Sequence, residues 1–303
     1  MQDPLSSMVP PRVGEGSERV NHQATAQRGA AAVVDLAGRA AADLGVALAP
    51  QLPAWARSPD VYVLILQLRS GGVAARAPDG LDLAHLSARL QLLWRLECFP
   101  KPLVSLLDDR IDASVAGLTT FGTHRVAGEN YQFALPLPED LSVVPAAGIA
   151  HALARLPEPL WRDLALGGRS IGRAEAWAVG LVTHCIPASA FPAIVAALAD
   201  GQPIDPLLDS LHEAPVPLPG GSAVPVRVAV GDASVRRAAT EKLILNARNM
   251  DVRESLIATY RVASALSRAT GAADSFLIDS LFLHPEPGDF DLPLRSELDN
   301  GRF

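Results

Sequence analysis

The chain has 303 residues, 49% of them hydrophobic, which is long enough and apolar enough for a full-sized globular core. Its formal net charge of −7 is spread without long acidic or basic blocks, so the sequence carries no electrostatic signature of nucleic-acid or membrane-surface binding. Its two cysteines, Cys98 and Cys185, lack the spacing of a zinc site or a disulfide framework, so we predict no bound metal and a reducing, cytoplasmic location.

The N-terminal segment, residues 1–28, combines Pro, Ser, Gln and Gly with no continuous hydrophobic stretch. This composition argues against an ordinary secretory signal and is typical of a mostly disordered tail. No apolar run in the chain approaches the roughly 20 residues that a transmembrane helix needs. We therefore expect no membrane partner.

Short apolar runs rich in branched residues come next in chain order. Such runs suit strands buried on both faces, and we predict them over residues 32–36, 61–68 and 103–107. A helical pattern begins after Asp82, a residue type that caps helices, and carries leucines at helical spacing up to Leu96. Further helical patterns cover residues 148–156, 157–166, 174–179 and 188–200. This alternation predicts an α/β domain with largely parallel strands over residues 29–211.

The composition then changes. Residues 212–233 are dense in Pro and Gly and indicate a connector that leaves the α/β domain. Beyond it we predict a helical C-terminal subdomain and tail over residues 234–303, with amphipathic helices over 234–250 and 252–268. Asp251 and Glu254 stand at the offset of a capping box at the start of the second helix.

Three stretches follow one another in the middle of the chain: GLTTFGTHRVAGENYQFALP (117–136), VVPAAGIAHALARL (143–156) and LALGGRSIGRAEAWAVGLVTHCIP (164–187). In amino-acid sequence and in order, these stretches are similar to the central half of enoyl-CoA hydratase/isomerase proteins, the crotonase superfamily. Upstream, PQLPAWARSPDVYVLILQL (50–68) resembles the start of the 3-hydroxyisobutyryl-CoA hydrolase branch, and residues 258–280 are weakly similar to its C-terminal helix. The resemblance covers most of residues 30–280.

The resemblance implies a crotonase-like α/β fold, with a ββα spiral core and a helical C-terminal subdomain. It implies a coenzyme A thioester as substrate or ligand and no permanently bound cofactor. It also implies a homo-oligomer, a trimer or hexamer, because the family's C-terminal helices usually pack on neighbouring subunits. We expect the apolar surface for this contact to come from Leu243, Ile244, Leu256 and Ile257.

Family members hold the thioester carbonyl with two backbone N–H groups, which stabilise the oxyanion or enolate that forms. The resemblance places the first donor loop at Ala77, Pro78 and Asp79. If Pro78 occupies the donor position it has no N–H to offer, whereas a shift of one residue makes Asp79 the donor.

The second donor loop falls at Ala113, Ser114 and Val115, where the family has glycines and where Gly117 alone remains beyond them. Ser114 is the expected donor, although Val115 beside it fits poorly in a backbone with positive φ. Both donor segments are equally compatible with ordinary connecting loops.

Acid/base chemistry on the acyl group needs a carboxylate within hydrogen-bond reach. In the hydrolase branch carboxylates directly follow two prolines, but neither Pro136 nor Pro145 is followed by one here. A two-residue shift brings Glu139 to the hydratase-type acid/base position. Otherwise Glu139 is a solvated loop charge.

Two functional hypotheses follow. The first is an enzyme that hydrolyses or hydrates a short 3-hydroxyacyl- or enoyl-CoA, with Glu139 as acid/base. The second is a catalytically degenerate paralogue that binds coenzyme A or a protein partner without turnover. The acidic segment 108–112 is a solvated turn or a new polar site with altered chemistry. His124, His151 and His184 are interpreted as structural histidines.

Overall fold

The fold is described by a computed structural model over residues 25–36, 48–69, 83–135, 148–216 and 233–268. The strands in this part of the chain are β1 (Thr25–Arg28), β2 (Ala31–Asp35), β3 (Val63–Leu68), β4 (Leu103–Leu107), β5 (Arg110–Ile111), β6 (His124–Ala127), β7 (Gln132–Ala134), β8 (Ser170–Gly172) and β9 (His184–Cys185).

The helices in the same ranges are α1 (Leu52–Arg57), α2 (Leu83–Glu97), α3 (Ala113–Thr120), α4 (Ala150–Ala154), α5 (Glu158–Leu166), α6 (Arg173–Ala178), α7 (Phe191–Ala199), α8 (Ile204–Leu211), α9 (Ala233–Ala247) and α10 (Val252–Arg268). A short 3₁₀ turn over Ala188–Ala190 leads into α7. No helix in the described part of the chain has both the length and the apolar character needed to cross a membrane.

Six strands form one sheet in the order β1-β2-β3-β4-β6-β9. Its neighbours run parallel except β1 and β2, which pair antiparallel. β5, β7 and β8 form a second, three-stranded sheet. Since β5 begins three residues after β4 ends, the chain passes from one sheet to the other at the carboxyl end of β4.

The large sheet is buried on both faces, which explains why its central strands read as continuous apolar runs. Successive side chains of a strand point to opposite faces. Val63 and Ile65 of β3 pack with α7 and α8, whereas Leu64 and Leu66 belong to a larger core shared with α2, α3, α5 and both C-terminal helices.

The predicted strands and helices are present, with ends that differ by a few residues. The capping box is confirmed: the Asp251 N–H donates to Glu254 Oε2 at 3.1 Å, and the Glu254 N–H donates to Asp251 Oδ1 at 2.7 Å. β1 lies inside the segment that we expected to be a tail, and residues 1–24 lie outside the described ranges. The short elements α3, α8 and β5 to β9 were not predicted.

The expected oligomer surface requires a correction. Leu243, Ile244, Leu256 and Ile257 are at most 3% exposed within the single chain. They are covered because α9 packs on α4 and α10 packs on α2, so the C-terminal helices fold back onto their own core. These four side chains therefore offer no surface to a second subunit, and the oligomeric state stays a prediction without them.

Candidate active site

The candidate site lies where β3 and β4 end side by side. The Asp108 N–H donates to the Leu68 carbonyl at 2.9 Å, so the main chain just beyond β4 is joined to the carboxyl end of β3. From there the chain forms β5 and enters α3 at Ala113. This geometry places the start of α3 at the carboxyl edge of the large sheet, the edge where parallel α/β proteins bind ligands.

The segment that we predicted as the second donor loop is the first turn of α3. The N–H groups of Val115 and Ala116 both donate to the Asp112 carbonyl, at 3.2 and 2.8 Å. The prediction of a loop at 113–115 is therefore wrong, and so is the expected conflict at Val115, since no described residue other than glycine has a positive φ. Ser114 is the second residue of α3, and main-chain N–H groups at this end of a helix form the positive end of its dipole. Its role as an oxyanion donor stays a prediction.

Gly117 lies inside α3 and not on a glycine-rich turn. Its carbonyl accepts a hydrogen bond from Thr120 Oγ1 at 3.3 Å, a contact within the helix. Its role in ligand binding stays a prediction.

Arg89 joins α2 to the start of α3 and was missed by the sequence reasoning. Its Nη2 donates to the Ala113 carbonyl at 2.6 Å. Burial lowers the pKa of Arg89 to about 10, and the nearby negative charge of Asp112 opposes that shift. A signal was present in the sequence, because Arg89 stands three residues after Leu86 and four before Leu93, on the leucine stripe of α2.

Within the acidic segment, Asp108 is not a solvated charge. Asp108 is only 8% exposed, and its carboxylate accepts hydrogen bonds from the Asn130 N–H at 2.9 Å and from Asn130 Nδ2 at 3.0 Å. Gly128 packs directly beneath it, since a Cβ added there would lie 2.2 Å from Asp108 Oδ1. Asp108 is thus a structural cross-link between β4 and the turn before β7.

The remaining predicted site residues, Ala77, Pro78, Asp79 and Glu139, lie outside the described residues. The structure therefore places only Ala113, Ser114 and Gly117 of the predicted set. Among the described residues, no group of three or more His, Cys, Asp or Glu side chains is arranged to hold a metal ion.

A separate pocket of about 220 Å³ lies near the amino end of β6. Its polar lining includes Glu97, Arg125, His151 and Arg155, and neither Ala113 nor Gly117 borders it. Burial raises the pKa of Glu97, while the charge of Arg155 lowers it. This pocket lies away from the start of α3 and is not the predicted thioester site.

The mixed sheet, the crossing to a second small sheet and the helix that starts at the carboxyl end of β4 define an α/β protein of the crotonase fold. The profile of the enoyl-CoA hydratase/isomerase family matches residues 42–256, and the chain belongs to that family. A solved structure of carnitinyl-CoA dehydratase from Mycobacterium thermoresistibile shares this fold with a TM-score of 0.63 and 16% identity, over 92% of this chain and 95% of that one.

Curated relatives point to one branch of the family. The chain is similar to the mitochondrial 3-hydroxyisobutyryl-CoA hydrolase of Xenopus tropicalis, with 27% identity over 180 residues, 54% of this chain and 46% of that protein. It is also similar to 3-hydroxyisobutyryl-CoA hydrolase 1 of Arabidopsis thaliana, with 30% identity over 169 residues, 52% of this chain and 44% of that protein. The matched stretches span less than half the length of these relatives.

Proposed function

We propose that the protein binds an acyl-CoA thioester with its carbonyl oxygen at the start of α3. The observation that carries the proposal is the position of Ser114, in the first turn of the helix that the chain enters after it leaves the carboxyl end of β4 and forms β5. An N–H in that place, together with the helix dipole, attracts the partial negative charge of a thioester oxygen. The family and its hydrolase relatives support the coenzyme A part of the ligand.

The chemistry proposed is hydrolysis or hydration of a short 3-hydroxyacyl- or enoyl-CoA. The Ser114 N–H supplies one donor to the oxyanion, and the segment Ala77–Asp79 supplies the other. Glu139 acts as the general acid/base. The reaction needs no metal or bound cofactor, because the two donors stabilise the charge that develops on the thioester oxygen.

A second candidate is binding of the same thioester without turnover. It is favoured by the carboxylate of Asp112, which directly precedes α3. A fixed negative charge near the donors opposes a developing oxyanion and lowers the gain that the donors provide. It opposes a neutral ground-state thioester much less.

The experiment measures binding and turnover separately. Calorimetry with a non-hydrolysable thioether analogue of a 3-hydroxyacyl-CoA measures binding. A panel of 3-hydroxyacyl- and enoyl-CoA thioesters measures turnover by the wild type, by Glu139→Gln and by the adjacent control Asp140→Asn.

The first candidate predicts that Glu139→Gln lowers kcat by about 10² to 10⁴, the usual contribution of a general acid/base, while Asp140→Asn retains it. Saturable binding with no turnover above background supports the second candidate. If the wild type neither binds the analogue nor turns over any thioester, both candidates are wrong.

A further inference from the structure

Arg89 occupies a position that a leucine stripe would normally fill. Leu86, Leu90 and Leu93 of α2 are at most 4% exposed, and Arg89 stands among them at helical spacing. Burying a guanidinium on a core-facing stripe costs free energy unless its charge is compensated and its N–H groups are hydrogen-bonded. For Arg89, the start of α3 provides both a carbonyl acceptor at Ala113 and the negative charge of Asp112.

The hydrogen bond from Arg89 reaches the same peptide unit that carries the proposed donor. The Ala113 carbonyl, which accepts from Arg89 Nη2 at 2.6 Å, and the Ser114 N–H are the two ends of one peptide group. A trans peptide is planar, and its C=O and N–H point in opposite directions. Fixing the carbonyl therefore fixes the direction in which the Ser114 N–H points.

The same contact strengthens the donor. A charge-assisted hydrogen bond to a carbonyl polarises the peptide group, which makes the N–H at the other end a better donor. A neutral side chain in the place of Arg89 would supply less of this polarisation.

Arg89 also offsets the negative charge beside the donor. Asp112 directly precedes α3, and its charge favours the protonated guanidinium of Arg89 against the effect of burial. With Arg89 present, the two charges partly cancel. Without it, the Asp112 carboxylate would repel an oxyanion that forms at Ser114.

We infer that Arg89 is a positioning residue for the oxyanion donor of Ser114: it orients and polarises the Ala113–Ser114 peptide and offsets the charge of Asp112. This inference rests on the proposed thioester site at the start of α3. A purely structural Arg89 would tie α2 to α3 and leave a bound thioester unaffected.

The test reads the bound carbonyl directly and does not require turnover. A 3-hydroxyacyl-CoA labelled with ¹³C at the thioester carbonyl is mixed with the protein, and its C=O stretch is recorded by difference infrared spectroscopy within the first turnover or at equilibrium. A donor that polarises the carbonyl moves this band to lower frequency. The variants are Arg89→Met, Arg89→Gln and Arg89→Lys.

The control is Arg95→Met. Arg95 lies on the same helix, and its Nη1 also donates to a main-chain carbonyl, that of Ala49 at 3.1 Å, but at a place away from α3. It therefore measures the cost of losing a comparable tether. Thermal melts of all variants show which ones are folded.

We expect the band shift of the wild type to be kept in Arg95→Met, lost in Arg89→Met, reduced in Arg89→Gln and partly restored in Arg89→Lys. Where turnover is measurable, kcat falls in Arg89→Met by up to about 10², the lower range for loss of an oxyanion donor, with KM little changed. Should Arg89→Met not fold, Arg89→Gln carries the test.

The inference is overturned if folded Arg89→Met shows the band position of the wild type, and the thioester site then stays in place. Where the methionine variant does not fold, the same result in Arg89→Gln overturns the inference. A wild type that binds the thioester without any band shift overturns it as well. A wild type that does not bind the thioester refutes the proposed function itself, and the two failures are thereby distinguished.

Discussion

The two ends of β4 are built from opposite charges. At the amino end, Lys101 donates from Nζ to the carbonyls of Trp55, Ser58 and Val61, at 2.5 to 2.7 Å. At the carboxyl end the charged group is the carboxylate of Asp108. Because Lys101 donates to three carbonyls, it ties the main chain between Trp55 and Val61 to the amino end of β4.

Arg125, which follows at the amino end of β6, repeats the arrangement of Lys101. Its guanidinium donates to the carbonyls of Gly122, Gly180 and Leu181. At the amino edge, two cations thus hold the main chain by donating to its carbonyls. At the other edge, the start of α3 carries Ala113, Ser114 and Val115 where the family resemblance leads us to expect glycines. The chain therefore keeps the fold of its family, while the segment proposed to bind the thioester differs from the family pattern.

The largest effect that we expect comes from removing the cation at the amino end. Lys101→Met leaves three carbonyls without their shared donor, and we expect a loss of about 2 to 4 kcal/mol in the free energy of unfolding, since hydrogen bonds to charged groups are worth more than neutral ones. Urea denaturation measures it. The control is Arg57→Met, at an exposed position of α1, which should change stability by less than about 0.5 kcal/mol. Equal effects of the two substitutions would show that the Lys101 contacts do not hold this edge.

At the carboxyl end, Gly128→Ala should break the Asp108 cross-link. The new Cβ would lie 2.2 Å from Asp108 Oδ1, so the carboxylate must leave its two hydrogen bonds with Asn130. We expect a loss of about 1 to 3 kcal/mol, the cost of leaving buried polar groups unpaired. Gly172→Ala is the matched control, because a Cβ there meets only the Tyr131 carbonyl, at 4.0 Å.

A double-mutant cycle sharpens this prediction. In an Asp108→Gly background all three side-chain atoms that clash with the new Cβ are absent, so Gly128→Ala should cost much less than it does in the wild type. Additive costs in the double variant would mean that Gly128 is needed for its backbone alone and that the contact with Asp108 is incidental.

A smaller effect, and one that depends on pH, is expected at the amino edge from His151. Burial lowers the pKa of His151, Arg155 lowers it further and Asp251 opposes the shift. Its two ring nitrogens are buried without a partner among the described residues. Because the unfolded chain binds the proton more tightly, the stability that neutral His151 contributes is present above the unfolded pKa of about 6.5 and is lost as pH falls towards the folded pKa.

We therefore expect the free energy of unfolding to fall less between pH 7 and pH 5 in His151→Gln than in the wild type. These two pH values bracket the ordinary histidine pKa of about 6.5. Urea denaturation at several pH values measures it, with His85→Gln on the exposed face of α2 as the control. Parallel pH dependences for His151→Gln and the wild type would contradict the assignment of a depressed pKa.

The framework was predictable because its signals are local. β2, β3 and β4 are buried on both faces, so each is a continuous apolar run that the sequence displays directly. β9 has two residues, His184 and Cys185, which are too few for a strand pattern to show. α8 is amphipathic, with Ile204 and Leu208 buried, but it has only eight residues and a proline among them, so its pattern is too short to predict a helix. These elements exist because of tertiary contacts, which a single sequence does not display.

The candidate site was predictable only in part, and the reasons differ by residue. Ser114 was proposed as a donor through the family resemblance alone, and the segment around it was taken for a loop because the resemblance aligns it with the family's glycine-rich donor loop. Asp108 resembled a solvated charge because its partner Asn130 stands 22 residues away and the contact depends on the absent side chain of Gly128. Arg89 was visible as a cation on an apolar stripe, yet its target on α3 required the fold.

The smallest effect is expected where the amino edge meets α8. His124 of β6 and His184 of β9 each contact an aspartate of α8: His124 Nε2 lies 2.8 Å from Asp205 Oδ1, and His184 Nε2 lies 3.1 Å from Asp209 Oδ1. Both histidines thus have structural contacts, as interpreted from the sequence. Unlike the contacts of Lys101, these pairs end on carboxylates that are 80% and 72% exposed, where water screens the charges.

We expect Asp205→Asn combined with Asp209→Asn to lower the free energy of unfolding by less than about 1 kcal/mol, because exposed ion pairs contribute little and asparagine still accepts a hydrogen bond. Urea denaturation measures the change, with exposed Asp200→Asn as the control. A loss as large as that of Lys101→Met would contradict the view that these histidine–aspartate contacts stabilise the fold less than the Lys101 contacts do because their carboxylates are exposed. It would mean that α8 is held mainly through its aspartates, although Ile204 and Leu208 already bury its apolar face against the sheet.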